Sequence, residues 1–150
     1  MAPSRKPRAT SQKAVRVRHL LAVDAQSVMT RLATRHEEMV KLFSRHRDRR
    51  AMLEPVSTLF TSIAFADLAQ LPPAEQRDIS AFYESLGELR WYLEFTEDMP
   101  GQVQLTLGQH LRRLESHYGR LVQIIGLPEA GGAPVVEAQV IRNVSSRRRR

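Results

Sequence analysis

A chain of 150 residues with 42% hydrophobic content can fold as one domain around one core. It contains no cysteine, which excludes disulfides, thiolate metal sites and thiol catalysis together. The formal charge of +7 sits at the ends: residues 1–18 hold six Lys or Arg and residues 142–150 five Arg, with no acid in either stretch, so residues 19–141 carry −4.

The longest apolar run near the N-terminus, Leu20 to Val23, is far below the roughly 7–15 residues of a signal peptide or the ~20 of a membrane span. The expected location is therefore cytoplasmic. Residues 1–13 are Pro, Ser, Lys and Arg with few apolar side chains. They bury too little surface to offset ordering entropy and are expected to be a disordered basic tail.

The first helix is expected over about 14–48. Leu21, Ala25, Val28, Leu32, His36, Met39, Phe43 and His46 recur at steps of three and four, which places them on one helical face. Arg31, Arg35, Arg45 and Arg49 form a basic stripe along the same segment, interrupted by Glu38. Such a stripe either follows phosphates or is a solvated face with weak ion pairs.

A second helix is expected over about 52–70. Pro55 suits a first turn, and Met52, Val56, Leu59, Phe60, Ile63 and Asp67 make its seam. Asp67 stands where an apolar group would fit. It either finds a cationic or donor partner or sits solvated at the rim of a fraying helix. Leu71-Pro72-Pro73 ends the segment.

The third helix, about 73–97, has Glu75 and Asp78 in an acidic first turn and the seam Ile79, Phe82, Leu86, Leu89, Leu93. Away from that seam, Glu84, Glu88, Trp91 and Phe95 align at steps of four, three and four, and Trp91 is the only tryptophan. An aromatic pair rimmed by acids on a non-core face has the character of an interface hot spot. The other reading packs Trp91 beneath the first or second helix. Asp98 is a favourable N-cap for the fourth helix, about 99–126, with seam Leu107, Leu111, Leu114, Tyr118, Leu121, Ile125 and a Gly126/Pro128 stop.

Residues 127–150 read as a flexible linker, a β-prone stretch over 135–144 and an arginine-rich tail. The expected fold is all-α: an antiparallel four-helix bundle over 14–126 with disordered basic ends. The longer first helix overhangs its neighbours, which points to self-association.

No set of residues carries a recognisable chemistry. His110 and His117 are two turns apart, about 10.5 Å, too far to share one zinc. H-E-x-x-H, glycine-rich phosphate loops and G-x-S-x-G are all missing. No enzyme activity, cofactor or metal is expected, and His36 and Asp67 are candidate buried polar residues. The expected function is a non-enzymatic interaction or scaffold protein, self-associating, with a partner surface at Glu84, Glu88, Trp91 and Phe95. Arg5, Lys6, Arg8, Lys13, Arg16, Arg18, Arg147, Arg148, Arg149 and Arg150 are the expected polyanion contacts. Their partner is an acidic protein, nucleic acid or an anionic membrane surface. The alternative is an accessory protein that binds nucleic acid without reading its sequence.

Overall fold

The computed structural model describes residues 11–45 and 49–127, and every regular element in them is helical. Three long helices dominate: α1 (Gln12–Arg45), α4 (Pro73–Phe95) and α5 (Pro100–Ile125). Between α1 and α4 lie α2 (Arg50–Leu53), a 3-10 turn (Phe60–Ser62) and α3 (Phe65–Leu68). The protein is all-α, and no strand occurs among the described residues. Arg5, Lys6, Arg8, His46, Arg142, Arg147 to Arg150 and the 135–144 stretch lie outside them.

Each long helix starts and stops for a local reason. Ser11 caps α1: its Oγ accepts the Ala14 N–H at 3.1 Å, meeting one of the free amides of the first turn. Pro73 and Pro100 open α4 and α5, where a missing N–H costs no intrahelical bond. Met99, not the expected Asp98, is the N-cap of α5; the Asp98 carboxylate instead accepts the Tyr92 hydroxyl at 2.8 Å. Gly126 ends α5 at φ 82°, a conformation that side chains with a Cβ rarely adopt, and its N–H donates to the Val122 carbonyl at 2.9 Å.

Side-chain pairs set the directions. Phe82 lies against Tyr118, Glu88 against Arg113 and Tyr92 against His110, so α4 and α5 run antiparallel. The α1 residues His36 to Lys41 line a groove with Gln104 to Leu111, whereas Gln12 to Ala22 meet Ile125 and Leu127. Helices α1 and α5 are therefore antiparallel too, and α1 runs parallel to α4. The leucine seams close inward as the spacing requires. Leu21, Leu32, Phe82, Leu89, Leu93, Leu107, Leu114 and Leu121 are all buried.

The expected continuous helix over 52–70 does not form. In its place the segment 50–71, here called the strap, descends between α1 and α4 as short turns. Two causes are visible. A helix running from Arg50 through Pro55 would drive the proline ring into the Ala51 carbonyl, and α2 stops at Leu53. Beyond it, hydroxyl side chains take over the backbone groups. Ser57 Oγ donates to the Glu54 carbonyl at 2.7 Å, Ser62 Oγ donates to the Leu59 carbonyl at 2.6 Å, and Thr58 Oγ1 accepts the Phe60 N–H at 3.0 Å. Met52, Val56 and Leu71 still reach the core, but Leu59, expected on the seam, is 72% exposed.

Four side chains along one flank of α1 hold the strap. Arg35 pairs with Glu54 at 2.6 Å. Arg31 donates from Nε to the Pro55 carbonyl at 3.3 Å and from Nη2 to the Ser57 carbonyl. Asp24 binds Thr58 and Leu59, and Lys13 pairs with Asp67 at 2.6 Å. At 34 residues α1 spans about 51 Å, against about 35 Å for the 23-residue α4 and about 39 Å for the 26-residue α5. Beyond the end of α1, the Arg49 guanidinium lies 4.1 Å over the Phe43 ring, and Nη1 donates to the Leu93 carbonyl at 2.9 Å.

Candidate functional site

The seam of α4 directs Leu86, Leu89 and Leu93 inward, which leaves the opposite flank to water. Trp91 is 60% exposed and Phe95 64% exposed, their ring centroids 5.8 Å apart with 42° between the planes. Met99, 77% exposed, follows in the turn to α5. Neither the strap nor α1 covers the aromatic pair, so Trp91 is not packed beneath the first or second helical segment. Glu84 and Glu88 are exposed on the same flank, and Glu88 pairs with Arg113 of α5 at 2.6 Å. Two large adjacent rings held in water, with carboxylates beside them, form a surface suited to a partner side chain that is both flat and cationic.

A second polar site lies inside the bundle, at a residue outside the expected apolar seam of α1. Asp24 is buried on α1. Its Oδ2 accepts the Thr58 hydroxyl at 2.5 Å and the Tyr83 hydroxyl at 2.9 Å, and its Oδ1 accepts the Leu59 N–H at 3.0 Å. Three elements thus meet on one carboxylate. Burial, followed by the field of Asp24 and the bond to it, pushes the Tyr83 phenol far above its ordinary range. The Tyr83 ring stacks on Phe60 of the strap at 4.0 Å and 5°, which seals this clasp from the α4 side. On its α1 side, Leu20, Val23, Ser27, Leu59 and Ile63 line a groove of ≈ 460 Å³.

The signal for Asp24 was present in the sequence. Val17, Leu21, Asp24 and Val28 follow steps of four, three and four, so the residue stands on the core face. Reading the seam through Ala25 passed over it. The expected buried polar residues are placed otherwise: His36 is half-buried, with Nδ1 3.0 Å from the Ala33 carbonyl of its own helix. Asp67 is half-buried and has the cationic partner Lys13.

Of the expected polyanion contacts, Lys13, Arg16 and Arg18 are among the described residues. Lys13 holds Asp67, and Arg18 grips Glu75 with two bonds of 2.7 and 3.0 Å; Arg16 is exposed. On the basic stripe, Arg31 and Arg35 face the strap and Arg49 binds Leu93. Among the described residues, no three His, Asp or Glu side chains converge as metal ligands. No helix in them is long and apolar enough to cross a membrane.

Where α4 meets α5, His110 carries a buried Nδ1 with no hydrogen-bond partner among the described residues, its ring 5.5 Å from that of Tyr92. Burial, then the Arg113 guanidinium, hold the imidazole below its ordinary range, while Glu88 acts in the opposite sense. Burial and the bond to Asp98 push Tyr92 up to about 12. The signs follow from linkage. The unfolded chain protonates His110 first, so stability falls as pH drops below about 6.5. The unfolded chain also loses the Tyr92 proton first, so stability falls as pH rises from about 10 towards 12. Denaturant titrations of the wild type and His110→Gln across pH 5 to 8 check the acid limb: the variant shows a flatter slope. Equal slopes would mean that this imidazole does not contribute.

The chain matches no family model, and no curated protein or solved structure is similar to it.

Proposed function

We propose that this protein is a non-enzymatic helical interaction module that holds protein partners, a second copy included, through the Trp91–Phe95 face. The observation that carries this reading is the exposure of two large neighbouring rings on the flank of α4 opposite its buried seam. A lone exposed apolar residue needs no explanation, but a contiguous aromatic pair rimmed by carboxylates does. Such residues dominate the energetics of protein contacts because they bury large area with little loss of side-chain freedom. The exposed Leu20, Val23 and Leu59 beside their groove add further apolar contact area. The lack of cysteine fits a reducing compartment such as the cytoplasm. Binding of nucleic acid through basic arms ranks second: of the arm residues described, Lys13 and Arg18 pair with Asp67 and Glu75, and Arg16 is exposed.

The double variant Trp91→Ala/Phe95→Ala tests the proposal. Truncating a hot-spot ring costs at least about 2 kcal/mol of binding, roughly a thirtyfold loss of affinity. Light scattering over a concentration series should show the variant as the smaller species at concentrations where the wild type associates. Its far-ultraviolet circular dichroism should be unchanged, since neither ring supports the core. An identical mass curve with retained helicity would refute the reading.

A further inference from the structure

We infer that the Trp91–Phe95 face takes an arginine-rich peptide, and that its resident occupant is this chain's own Arg147–Arg150 segment. The inference rests on the reading of this face as an interaction surface and adds the chemistry of what it holds.

Charge is the first argument. Residues 73–98 carry seven carboxylates against Arg77 and Arg90. Of these, Glu84, Glu88, Glu94 and Glu97 are exposed around the two rings. Their existing pairs are solvent-exposed: Glu94 lies 3.8 Å from Arg90, and the Glu88–Arg113 pair, 2.6 Å apart, has both members more than half exposed. Exposed pairs of this kind contribute little and exchange readily. A guanidinium satisfies both halves of the face at once, stacking on the indole while its fork donates to a carboxylate. The chain supplies four in succession at Arg147 to Arg150.

Distance is the second argument. The Glu88–Arg113 and Tyr92–His110 contacts set Trp91 level with about residue 111 of α5. Leu127 is then about 24 Å further along the axis, at 1.5 Å per residue. Nineteen residues lie between Leu127 and Arg147, a path of up to about 70 Å at full extension, so the span is within reach. Tethering within reach raises the effective concentration to the order of millimolar. A contact too weak to form between separate molecules is then populated within one. The other basic arm meets the face only near full extension. Arg5 precedes Ser11 by six residues, at most about 21 Å of extended chain. Ser11 lies beyond the Glu75 end of α4, more than 16 residues or about 24 Å below Trp91.

Because Trp91 is the only tryptophan, its fluorescence reports on this face alone. The full chain is compared with the variant carrying Arg147→Ser, Arg148→Ser, Arg149→Ser and Arg150→Ser together, by acrylamide quenching at low ionic strength. The expected result is a quenching constant about twofold higher in the variant, with the wild type rising to the same value in ~0.5 M salt. A synthetic peptide of residues 142–150, added to the variant, should restore protection in a salt-sensitive manner. Equal quenching of the two proteins at low salt overturns the inference, even if the peptide protects, because the face would then bind arginine without holding its own tail. Protection that grows with protein concentration in the wild type but not in the variant also overturns it, since the tail would come from a second copy. A difference that salt leaves unchanged does the same. In each case the Trp91→Ala/Phe95→Ala association experiment still decides independently whether the face binds protein at all.

Discussion

Asp24→Ala should destabilise the bundle by about 3–4 kcal/mol, a drop in melting temperature of about 12–16 °C for a domain of this size. The substitution removes the acceptor shared by Thr58, Leu59 and Tyr83. Thr58 is half-exposed and can turn to water, but the Tyr83 hydroxyl is bonded within a buried site, and the partly buried Leu59 N–H loses its acceptor. Each stranded donor costs about 1–3 kcal/mol, which sets the expected total. Asp24→Asn should lose less, about 1–2 kcal/mol, because its carbonyl keeps one acceptor and its amide can donate to the hydroxyl oxygens. Tyr83→Phe alone should cost about 1–2 kcal/mol and much less once Asp24 is already alanine. Guanidinium titration of the four proteins completes the cycle. Independent losses from the two substitutions would show that the carboxylate and the phenol do not act together.

Phe82→Ala should be comparably severe, about 3–5 kcal/mol, for a different reason. Phe82 is fully buried where α4 meets α5. Its ring meets the Tyr83 ring edge-on at 5.0 Å and 86°, and lies 6.1 Å from the Tyr118 ring. Alanine leaves a void between the Tyr83 and Tyr118 rings, which lose their contacts to the missing ring. Phe82→Leu retains most of the volume and should lose no more than about 1.5 kcal/mol. Thermal unfolding followed by circular dichroism compares the two. A loss under about 1 kcal/mol for the alanine variant would mean that the core relaxes into the space.

The parts of this fold visible in the sequence are those that use helical periodicity. The seams from Ile79 to Leu93 and from Leu107 to Ile125 repeat at three and four residues, and α4 and α5 lie where those seams run. Over 52–70 the same arithmetic misled. Val56, Phe60 and Ile63 are spaced as a helix would space them, and they do face inward or partly inward. Yet the hydroxyls of Ser57, Thr58 and Ser62 and the carboxylate of Asp24 outcompete the helical bonds. That competition depends on a residue thirty-four positions away, the Asp24–Thr58 separation, which no local window contains. The exposed aromatic pair was legible because Trp91 and Phe95 fall off the leucine seam. The clasp was not, because one acid among apolar positions reads as tolerable until its three donors are seen together.

The strap also bears on how this sequence can change over time. A helix finds its place on a neighbour by fitting rows of side chains into grooves, whereas an irregular segment has no such rows. Its position along α1 is fixed by discrete polar partners: Arg35 with Glu54, Asp24 with Thr58 and Leu59, Lys13 with Asp67. Related chains should therefore let the apolar strap residues drift among similar volumes, while Asp24, Thr58 and Tyr83 are exchanged together or kept. Insertions should collect between these anchors, where lengthening the path leaves every address intact.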